Sequence, residues 1–320
     1  MTRACVAVVW CISLVVAPPL SAQLYPQGAI TFVLTAAPGD GSDIAMRLMA
    51  DELRKSLNAP VLLVNRAGAG GVLAVDAVVR ANKDGYTILF TNNAPLTFRA
   101  VIEPETTRYD SAKDLVPLGM VARTPFLVAV RSDAPYTSLA QLVAHAKKSP
   151  GSVRFATVGT GSVGDFTVDT LNSLTAAGLT TVPYKGATPA VSAVAGGQVE
   201  ATAITMSALI GNLKSGTLRP LVISSKYPEF PQIPTLSELG YPGNLIGVWT
   251  GFFAPAGIPA EARSVLIPAL RAAITHPSIA AKLLSAGLVV DYNPPEAVLK
   301  ELRDEYQKVR DFARRAGLVK

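Results

Sequence analysis

The chain has 320 residues, of which 49% are hydrophobic, and a formal net charge of +6. This length favours two domains or one large domain with a sizeable core. The positive charge is mild and scattered, and no run of five basic residues occurs, which argues against a nucleic-acid partner.

The first 22 residues have the pattern of a secretion signal. Arg3 gives a short positive region, residues 4–17 are continuously apolar, and Leu20-Ser21-Ala22 is a small-residue pattern that predicts cleavage near Ala22. The alternative, a membrane anchor, needs an apolar run nearer ~20 residues. No later segment is long and apolar enough to span a bilayer. We therefore predict a periplasmic protein whose signal peptide, residues 1–22, is removed.

From Ile30 onward, strand-like and helix-like segments alternate. Strands are predicted at Ile30–Thr35, Val61–Asn65, Tyr86–Thr91, Phe126–Val130, Val153–Val158, Thr180–Pro183, Leu218–Ser224 and Val248–Ala254. Helices are predicted at Asp43–Ser56, Gly70–Ala81, Ser138–Lys148, Pro189–Ala195, Ala260–Thr275 and Glu296–Ala316. This order indicates an α/β protein with a parallel or mixed sheet, in which ligands bind beyond the carboxyl ends of the strands.

Glycine-rich turns follow the predicted strands in two groups. The first group lies in the first third of the chain, at Ala37–Asp43, Asn65–Gly71 and Thr91–Asn93. The second group lies in the middle, at Thr157–Gly164 and Pro183–Gly186. Two groups of turns suggest two lobes that face one cleft.

The turn Ala37–Asp43 connects an apolar strand to an amphipathic helix. It directs backbone N–H groups and the positive end of a helix dipole into one small space, which favours a small anionic or polar ligand. Ser42 has two interpretations. It caps the helix through its hydroxyl, with Asp43 complementing the dipole, or it contacts the ligand together with the N–H groups of Gly39 and Gly41.

The turn Gly159–Gly164 has the GxGxxG spacing of dinucleotide-binding turns. The acidic residue that such a site needs some ~20 residues later is missing, because the next strand ends in Tyr184 and Lys185. We therefore prefer a turn that holds another small ligand and expect no cofactor. A structural glycine turn and a nucleotide site stay open as alternatives.

Few residues of the mature chain could carry catalysis. Both cysteines, Cys5 and Cys11, lie in the predicted signal, so neither a disulfide nor a lipid anchor is expected. The only histidines, His145 and His276, have no nucleophile motif beside them. Without clustered ligands no metal site is expected, and we predict that the protein is not an enzyme, although paired carboxylates stay open. Trp249 is predicted to pack in the core, with a place in the cleft wall as the alternative.

Short motifs follow one another in order along the whole mature chain. They are Tyr25-Pro26, Pro38-Gly39-x-Gly41-Ser42-Asp43, Asn65-Arg66-x-Gly68-Ala69-Gly70-Gly71, Asp84-Gly85-Tyr86-Thr87, Val182-Pro183-Tyr184-Lys185-Gly186, Gly196-Gly197-Gln198-Val199-Glu200, Ile233-Pro234-Thr235-Leu236-Ser237-Glu238-Leu239-Gly240, Trp249-x-Gly251 and Ala254-Pro255-Ala256-Gly257-x-Pro259. Each motif is modest, but the ordered set is specific. Through it the chain resembles the Bug/TctC family, the extracytoplasmic solute receptors of tripartite tricarboxylate transporters.

The resemblance implies a two-lobed, type II-like periplasmic binding protein fold. Each lobe would be a mostly parallel sheet flanked by helices, and the lobes would close on the ligand by a hinge. The two groups of turns place lobe 1 at residues 23–122 and 246–320 and lobe 2 at residues 123–245. A C-terminal helix is expected to pack back on lobe 1. The implied ligands are small carboxylates, the implied partners are membrane permease subunits, and a monomer is expected.

The resemblance also implies which residues hold the ligand. In the family, two turns of the first lobe bind one carboxylate, partly through ordered water, and turns of the second lobe face the variable end of the ligand. Together with Asp40 and the turn after the third strand, the candidates are Ala37, Gly39, Asp40, Gly41, Ser42, Asp43, Gly68, Ala69, Gly70, Thr91, Asn92, Thr157, Gly159, Gly161, Ser162 and Lys185.

Two residues depart from the family pattern. Asp40 stands where the family usually has glycine, and a carboxylate beside an anion site adds repulsion of ~1 kcal/mol or more. Either Asp40 turns outward or the ligand carries a positive or neutral group there; we hypothesise the second, an amino acid, amide or amine-bearing acid. Asp165 replaces a histidine found in many relatives, which also disfavours a doubly anionic ligand. Lys185 is the nearest motif residue that could balance charge.

The leading prediction is a binding protein that captures a small organic acid, amino acid or amide for a permease. A sensor that presents its closed form to a signalling membrane protein would use the same residues. An exported hydrolase or dehydrogenase is the third and least favoured class.

Overall fold

The computed structural model describes residues 25–315 together with Gly317 and Val319. The predicted signal peptide and its cleavage site lie outside these residues. Within the described range, no helix is both long and apolar enough to cross a membrane.

The strands are β1 (Ile30–Leu34), β2 (Val61–Asn65), β3 (Thr87–Asn92), β4 (Leu115–Thr124), β5 (Phe126–Arg131), β6 (Arg154–Thr157), β7 (Thr180–Pro183), β8 (Ala201–Thr205), β9 (Leu218–Ile223), β10 (Val248–Pro255) and β11 (Val289–Val290). The helices are α1 (Gly41–Leu57), α2 (Val72–Val79), α3 (Arg99–Ile102), α4 (Leu139–Lys148), α5 (Val163–Thr175), α6 (Ala187–Ala195), α7 (Met206–Lys214), α8 (Ala260–Thr275), α9 (Pro277–Ser285) and α10 (Pro295–Arg315). A 3₁₀ turn covers Ala69–Gly71, and a π-helical turn covers Ala94–Phe98.

The strands form two sheets, and helices pack against both. The first sheet has the strand order β11-β4-β10-β3-β1-β2, and the second has the order β7-β6-β8-β5-β9. Only Pro125 separates β4 in the first sheet from β5 in the second. The chain therefore passes between the sheets at this point, and the predicted α/β class with two units is confirmed.

The direction of the strands differs from the prediction of mostly parallel sheets. Among the strand pairs of the described residues, β1 with β2 and β3, and β6 with β7 and β8, are parallel. The pairs made by β10, β11 and β5 are antiparallel. Both sheets are mixed because β10 and β5, the strands with which the chain enters each sheet from the other, run against the βαβ units of that sheet.

All eight predicted strands and all six predicted helices are present, with ends that differ by at most two residues. Three strands, β4, β8 and β11, and four helices, α3, α5, α7 and α9, were missed. Strand β4 contains Pro117 and Gly119, which ordinarily interrupt a strand, and its pairing with β10 changes register there. Strand β8 reads Ala-Thr-Ala-Ile-Thr, a run of small residues with little apolar alternation.

The first sheet buries side chains on both faces. Phe32, Phe90 and Phe252 pack on the face covered by α1 and α8. Trp249 and Phe253 pack on the opposite face, against α2 and α10. Because Trp249 is only 1% exposed, the prediction that it packs in the core is confirmed.

Helix α10 contacts both sheet units instead of the first alone. Val298 and Leu302 belong to the core of the first sheet. About two turns further along, Val309 joins the core of the second sheet. The ring of Phe312 lies 4.3 Å from that of Phe166 in α5. Helix α10 therefore packs against the first sheet as expected, and its second half also contacts the second sheet unit.

Gly164 sets how closely α5 approaches the second sheet, which leads to a prediction. A Cβ at this position would lie 2.7 Å from the carbonyl oxygen of Ala203 and 3.1 Å from Cβ of Thr157. We expect Gly164→Ala to lower the free energy of unfolding by about 1–3 kcal/mol, because the helix must move away. Urea denaturation measures this.

The matched control is Gly211→Ala in α7, where nothing lies within 4 Å of the added Cβ. This variant is expected to gain about 0.5–1 kcal/mol, since alanine is the better helix former. Equal effects of the two substitutions would contradict the assigned role of Gly164.

Candidate functional site

The first turn follows β1 and leads into α1, whose first helical residue is Gly41. Asp40 is the N-cap residue, with extended backbone angles of φ −70° and ψ 159°. Ser42 is the second residue of the helix, so the interpretation of Ser42 as the N-cap is wrong. The sequence was ambiguous because aspartate and serine are equally good N-caps and stand two residues apart.

Asp43 holds this turn together from inside. It is 2% exposed, and its carboxylate accepts hydrogen bonds from Gly39 N at 2.9 Å, Arg47 Nε at 2.8 Å and Asn65 Nδ2 at 2.9 Å. Burial raises the pKa of Asp43, but the hydrogen bonds from Arg47, Gly39 and Asn65 outweigh it and hold the pKa below its usual value. The charged carboxylate is therefore engaged by the turn and by β2.

Asp40 bends back onto the same turn. Its Oδ2 accepts the N–H of Ala37 at 3.2 Å. Burial raises its pKa, and the nearby charge of Asp43 adds to the rise. The first N–H groups of α1, at Gly41 and Ser42, have no partner carbonyl within the helix. These groups and the Ser42 hydroxyl are the donors that this turn offers to a ligand.

The turn of the second sheet follows β6 and leads into α5. Ser162 is the N-cap, and its Oγ accepts the N–H of Asp165 at 3.3 Å. The Asp165 carboxylate accepts Gly161 N at 2.9 Å and Thr157 Oγ1 at 2.7 Å. Burial raises the pKa of Asp165, and these two hydrogen bonds partly oppose the rise.

The two turns have the same internal construction. In each, the glycine before the N-cap donates its N–H to the aspartate at the third helical position, over 2.9 Å in both cases. The N–H groups of Gly39 and Gly161 are thus bonded inside their turns, which corrects the expectation that Gly39 offers a free donor to the ligand. The aspartates instead fix two helix N-termini that carry positive dipole ends.

The Gly68–Gly71 turn lies beside the first one. All four residues have positive φ, at 131°, 47°, 61° and 98°, and Gly68 to Gly70 are exposed. A Cβ at Gly71 would lie 3.2 Å from Thr35, the residue after β1. Glycine is needed here because the turn combines left-handed backbone with close packing on β1.

The remaining predicted residues fall into two groups. Thr91 and Thr157 are fully enclosed, and the Thr91 hydroxyl donates to Asn92 O at 3.0 Å. The Asn92 amide oxygen accepts the N–H of Ala94 at 3.0 Å. The polar side chains of this segment are therefore bonded within the segment itself. Gly159, with open space around it, and the exposed Lys185 lie at the accessible surface.

Two residues that the sequence analysis missed join the turns of the two sheets. Arg99, at the start of α3, lies between Gly70 and Gly161 and donates through Nη1 to the carbonyl oxygen of Thr160. A Cβ at Gly41 would lie 2.6 Å from Oγ of Ser207 in α7. Arg99 carried a signal, as the one charged residue within an apolar run from Leu96 to Ile102. Ser207 was missed because strand β8, which precedes it, was not predicted.

A cavity of about 380 Å³ lies apart from these turns, and none of the predicted site residues lines it. Its walls include Leu96, Tyr109, Ser111, Leu302 and Tyr306. Within the described residues, no group of three or more His, Cys, Asp or Glu side chains could hold a metal ion. The chemistry of the turns is therefore hydrogen bonding by helix N-termini, hydroxyls and one guanidinium.

Comparison with known proteins shows which protein family the chain matches. The model of the TctC family, described as the tripartite tricarboxylate transporter family receptor, matches residues 45–318. Protein BugT of Bordetella pertussis is 33% identical over 305 residues, which cover 94% of this chain and 93% of BugT.

Solved structures agree in fold. A Rhodopseudomonas protein, R. palustris Rpa4515 with adipate, has a TM-score of 0.85 and 28% identity, covering 92% of this chain and 98% of its own. The periplasmic binding protein BugD has a TM-score of 0.83 and 27% identity, covering 92% of this chain and 99% of its own. The chain thus shares the two-lobed architecture of periplasmic binding proteins over nearly its whole length.

Proposed function

The chain belongs to the TctC family of tripartite tricarboxylate transporter receptors, and on that premise we propose that it captures a small carboxylate-bearing ligand in the periplasm. Delivery to the permease subunits of a tripartite tricarboxylate-type transporter completes the proposed role. The observation that carries the proposal is the pair of aspartate-braced turns, Gly39–Asp43 and Gly161–Asp165, on the two sheets.

The proposed site uses complementary donors from both sheets. The first sheet supplies the N-terminus of α1 with the hydroxyl of Ser42, beside the exposed Gly68–Gly70 turn. The second sheet supplies the N-terminus of α5 and the accessible Gly159 and Lys185. Carboxylates bind well at such helix N-termini, because N–H groups and the dipole point at the anion.

The proposed motion is closure of two lobes about the strands that connect them. Residues 23–122 and 246–320 would form one lobe and residues 123–245 the other. Membership of β1–β4, β10 and β11 in one sheet and of β5–β9 in the other supports this division. The Arg99–Thr160 and Gly41–Ser207 contacts are then contacts of the closed form.

The ligand class is a small organic acid, amino acid or amide. The similar protein Rpa4515 was solved with adipate, which supports an organic acid as the ligand. Asp40 supports a positive or neutral group near the first turn, because it is half-buried and adjoins the Asp43 carboxylate. An acid with an amine or amide group satisfies both observations.

A thermal-shift screen tests the proposed function. The mature protein is unfolded and refolded to remove bound ligand, then heated with dicarboxylates, citrate, acidic and neutral amino acids, aromatic acids and their amides, with NAD as a control. A ligand at ~100 times its dissociation constant adds ~2.7 kcal/mol to the free energy of unfolding, so we expect a clear rise in melting temperature for at least one acid. A response to NAD alone would overturn the proposal and restore the dinucleotide interpretation of Gly159–Gly164.

A further inference from the structure

Arg99 is a cation that lies between the glycine turns of both sheets. A Cβ at Gly70 would lie 3.1 Å from Arg99 Nε, and a Cβ at Gly161 would lie 3.2 Å from Arg99 Nη1. Gly70 and Gly161 both belong to turns that are proposed to bind the ligand, and the guanidinium lies between these two turns. Any side chain at either glycine would push it aside.

The guanidinium has partners for its two terminal nitrogens only. Nη1 donates to Thr160 O, and Nη2 forms an ion pair with Glu103 Oε2 at 2.8 Å. The Nε–H is buried and has no hydrogen-bond partner among the described residues. A buried N–H group without a partner is unfavourable because it has lost its hydrogen bond to water. An acceptor that reaches the Nε–H removes this cost.

We propose that Arg99 contacts an anionic group of the ligand through Nε–H and makes this site prefer ligands that carry a second negative charge. This inference rests on the proposed function and adds the residue that sets ligand charge. A carboxylate is the acceptor that fits best, because its hydrogen bonds to arginine are charge-assisted and about twice as strong as neutral ones.

Two acids, Glu103 and Asp165, lie close to the guanidinium. The Asp165 carboxylate is engaged by Gly161 and Thr157, and Glu103, at the end of α3, is 22% exposed. A ligand carboxylate competes with Glu103 for the guanidinium but not with Asp165 for its donors. Asp40 favours a positive or neutral group at the first turn, and Arg99 favours a second carboxylate beside Gly161, so a diacid that also carries an amine satisfies both conditions.

Paired ligands that differ by one charge test the role of Arg99. Calorimetric titration of the refolded mature protein would compare adipate, succinate and glutamate with adipamate, succinamate and glutamine. For the pair that binds wild-type protein, we expect the diacid to bind about tenfold or more tighter than its amide. Arg99→Gln should abolish that preference, and Arg99→Lys should retain part of it. Arg263→Gln, which removes the same charge from an exposed position of α8, should change nothing.

The outcomes separate the two proposals. If no acid or amide of this panel or of the thermal-shift screen binds the wild-type protein, the proposed function fails, and the Arg99 inference fails with it. If wild-type protein binds an amide at least as tightly as its diacid, or if Arg99→Gln weakens both alike, only the Arg99 inference is overturned.

Glu103→Gln is an independent test. This variant should bind the diacid more tightly and the amide with unchanged affinity, because it removes a competitor for the guanidinium. Unchanged diacid binding in Glu103→Gln would contradict that competition.

Discussion

Replacing Asp43 with alanine is expected to abolish ligand binding and to lower the free energy of unfolding by about 2–4 kcal/mol. The carboxylate is 2% exposed and accepts hydrogen bonds from Gly39, Arg47 and Asn65. Without it, the part-buried Gly39 N–H loses its acceptor, and the Asn65 amide, which also donates to Ala36 O, loses its hydrogen bond to the start of α1. Calorimetric titration and urea denaturation measure the two effects.

Asp51→Ala is the matched control for this prediction. Asp51 lies on the same helix and also pairs with an arginine, Arg54, but its side chain is 83% exposed. Exposed pairs of this kind contribute about 0.2–1 kcal/mol, and Asp51 is remote from the turn. Ligand binding by Asp43→Ala with wild-type affinity would show that the first turn does not hold the ligand.

Acid should weaken the first turn in wild-type protein. The folded-state pKa of Asp43 lies below its ordinary value, so its stabilising contribution is present above the unfolded-state pKa and is lost as pH falls through the folded-state pKa. The carboxyl titrates between pH ~5 and pH ~2. When the pH is lowered over this range, the free energy of unfolding should therefore fall less for Asp43→Ala than for wild type, as measured by urea denaturation.

Replacing Glu305 with leucine is expected to lower the free energy of unfolding by about 3–5 kcal/mol. This side chain of α10 accepts hydrogen bonds from Thr97 Oγ1 at 2.7 Å, Asn93 Nδ2 at 2.9 Å and Trp249 Nε1 at 2.9 Å. Leucine would leave the buried Trp249 Nε1–H without an acceptor, whereas Thr97 and Asn93 would each lose one acceptor and keep the carbonyl oxygens of Asn93 and Gly247. Urea denaturation at pH ~7 measures the loss.

The pH dependence of stability separates the charge of Glu305 from its hydrogen bonds. Burial raises its pKa from 4.5 to about 6. Because the folded state binds the proton more tightly, this group's contribution is largest below pH ~4.5 and falls as pH rises through about 6. A shift of this size corresponds to about 2 kcal/mol.

Glu305→Gln should remove that slope, since glutamine does not titrate. The free-energy difference between wild type and Glu305→Gln is therefore expected to move by about 2 kcal/mol in favour of the variant between pH ~4.5 and ~7. Parallel pH profiles for the two proteins would show that Glu305 keeps an ordinary pKa in the folded state.

Elements with a strong local pattern could be predicted from the sequence. Strand β1 and helix α1 have apolar residues at the spacing of their own period, and the structure contains both with ends shifted by one or two residues. Strand β8 could not be predicted in this way, because its alanines and threonines gain their burial from β5 and β6 on either side.

The candidate site likewise has local features that the sequence predicts and long-range contacts that it does not. Glycine turns and their order in the chain are local features, and the sequence located them. Which groups inside a turn bond to each other depends on distances that the sequence does not contain. Asp43 therefore looked like a dipole or ligand contact and Asp165 like a replacement for a family histidine, whereas both fix their turns. Arg99 comes to Gly70 and Gly161 only through the packing of α3 between the two sheets.

Hydrogen–deuterium exchange with the strongest ligand of the screen tests the central claim most directly, because it locates the ligand. We predict slower exchange at residues 37–43 and 68–71 and, in the same titration, at residues 157–164 of the other sheet. Protection of one sheet alone, or protection confined to the cavity walls near Tyr109 and Leu302, would contradict capture of the ligand between the two braced turns.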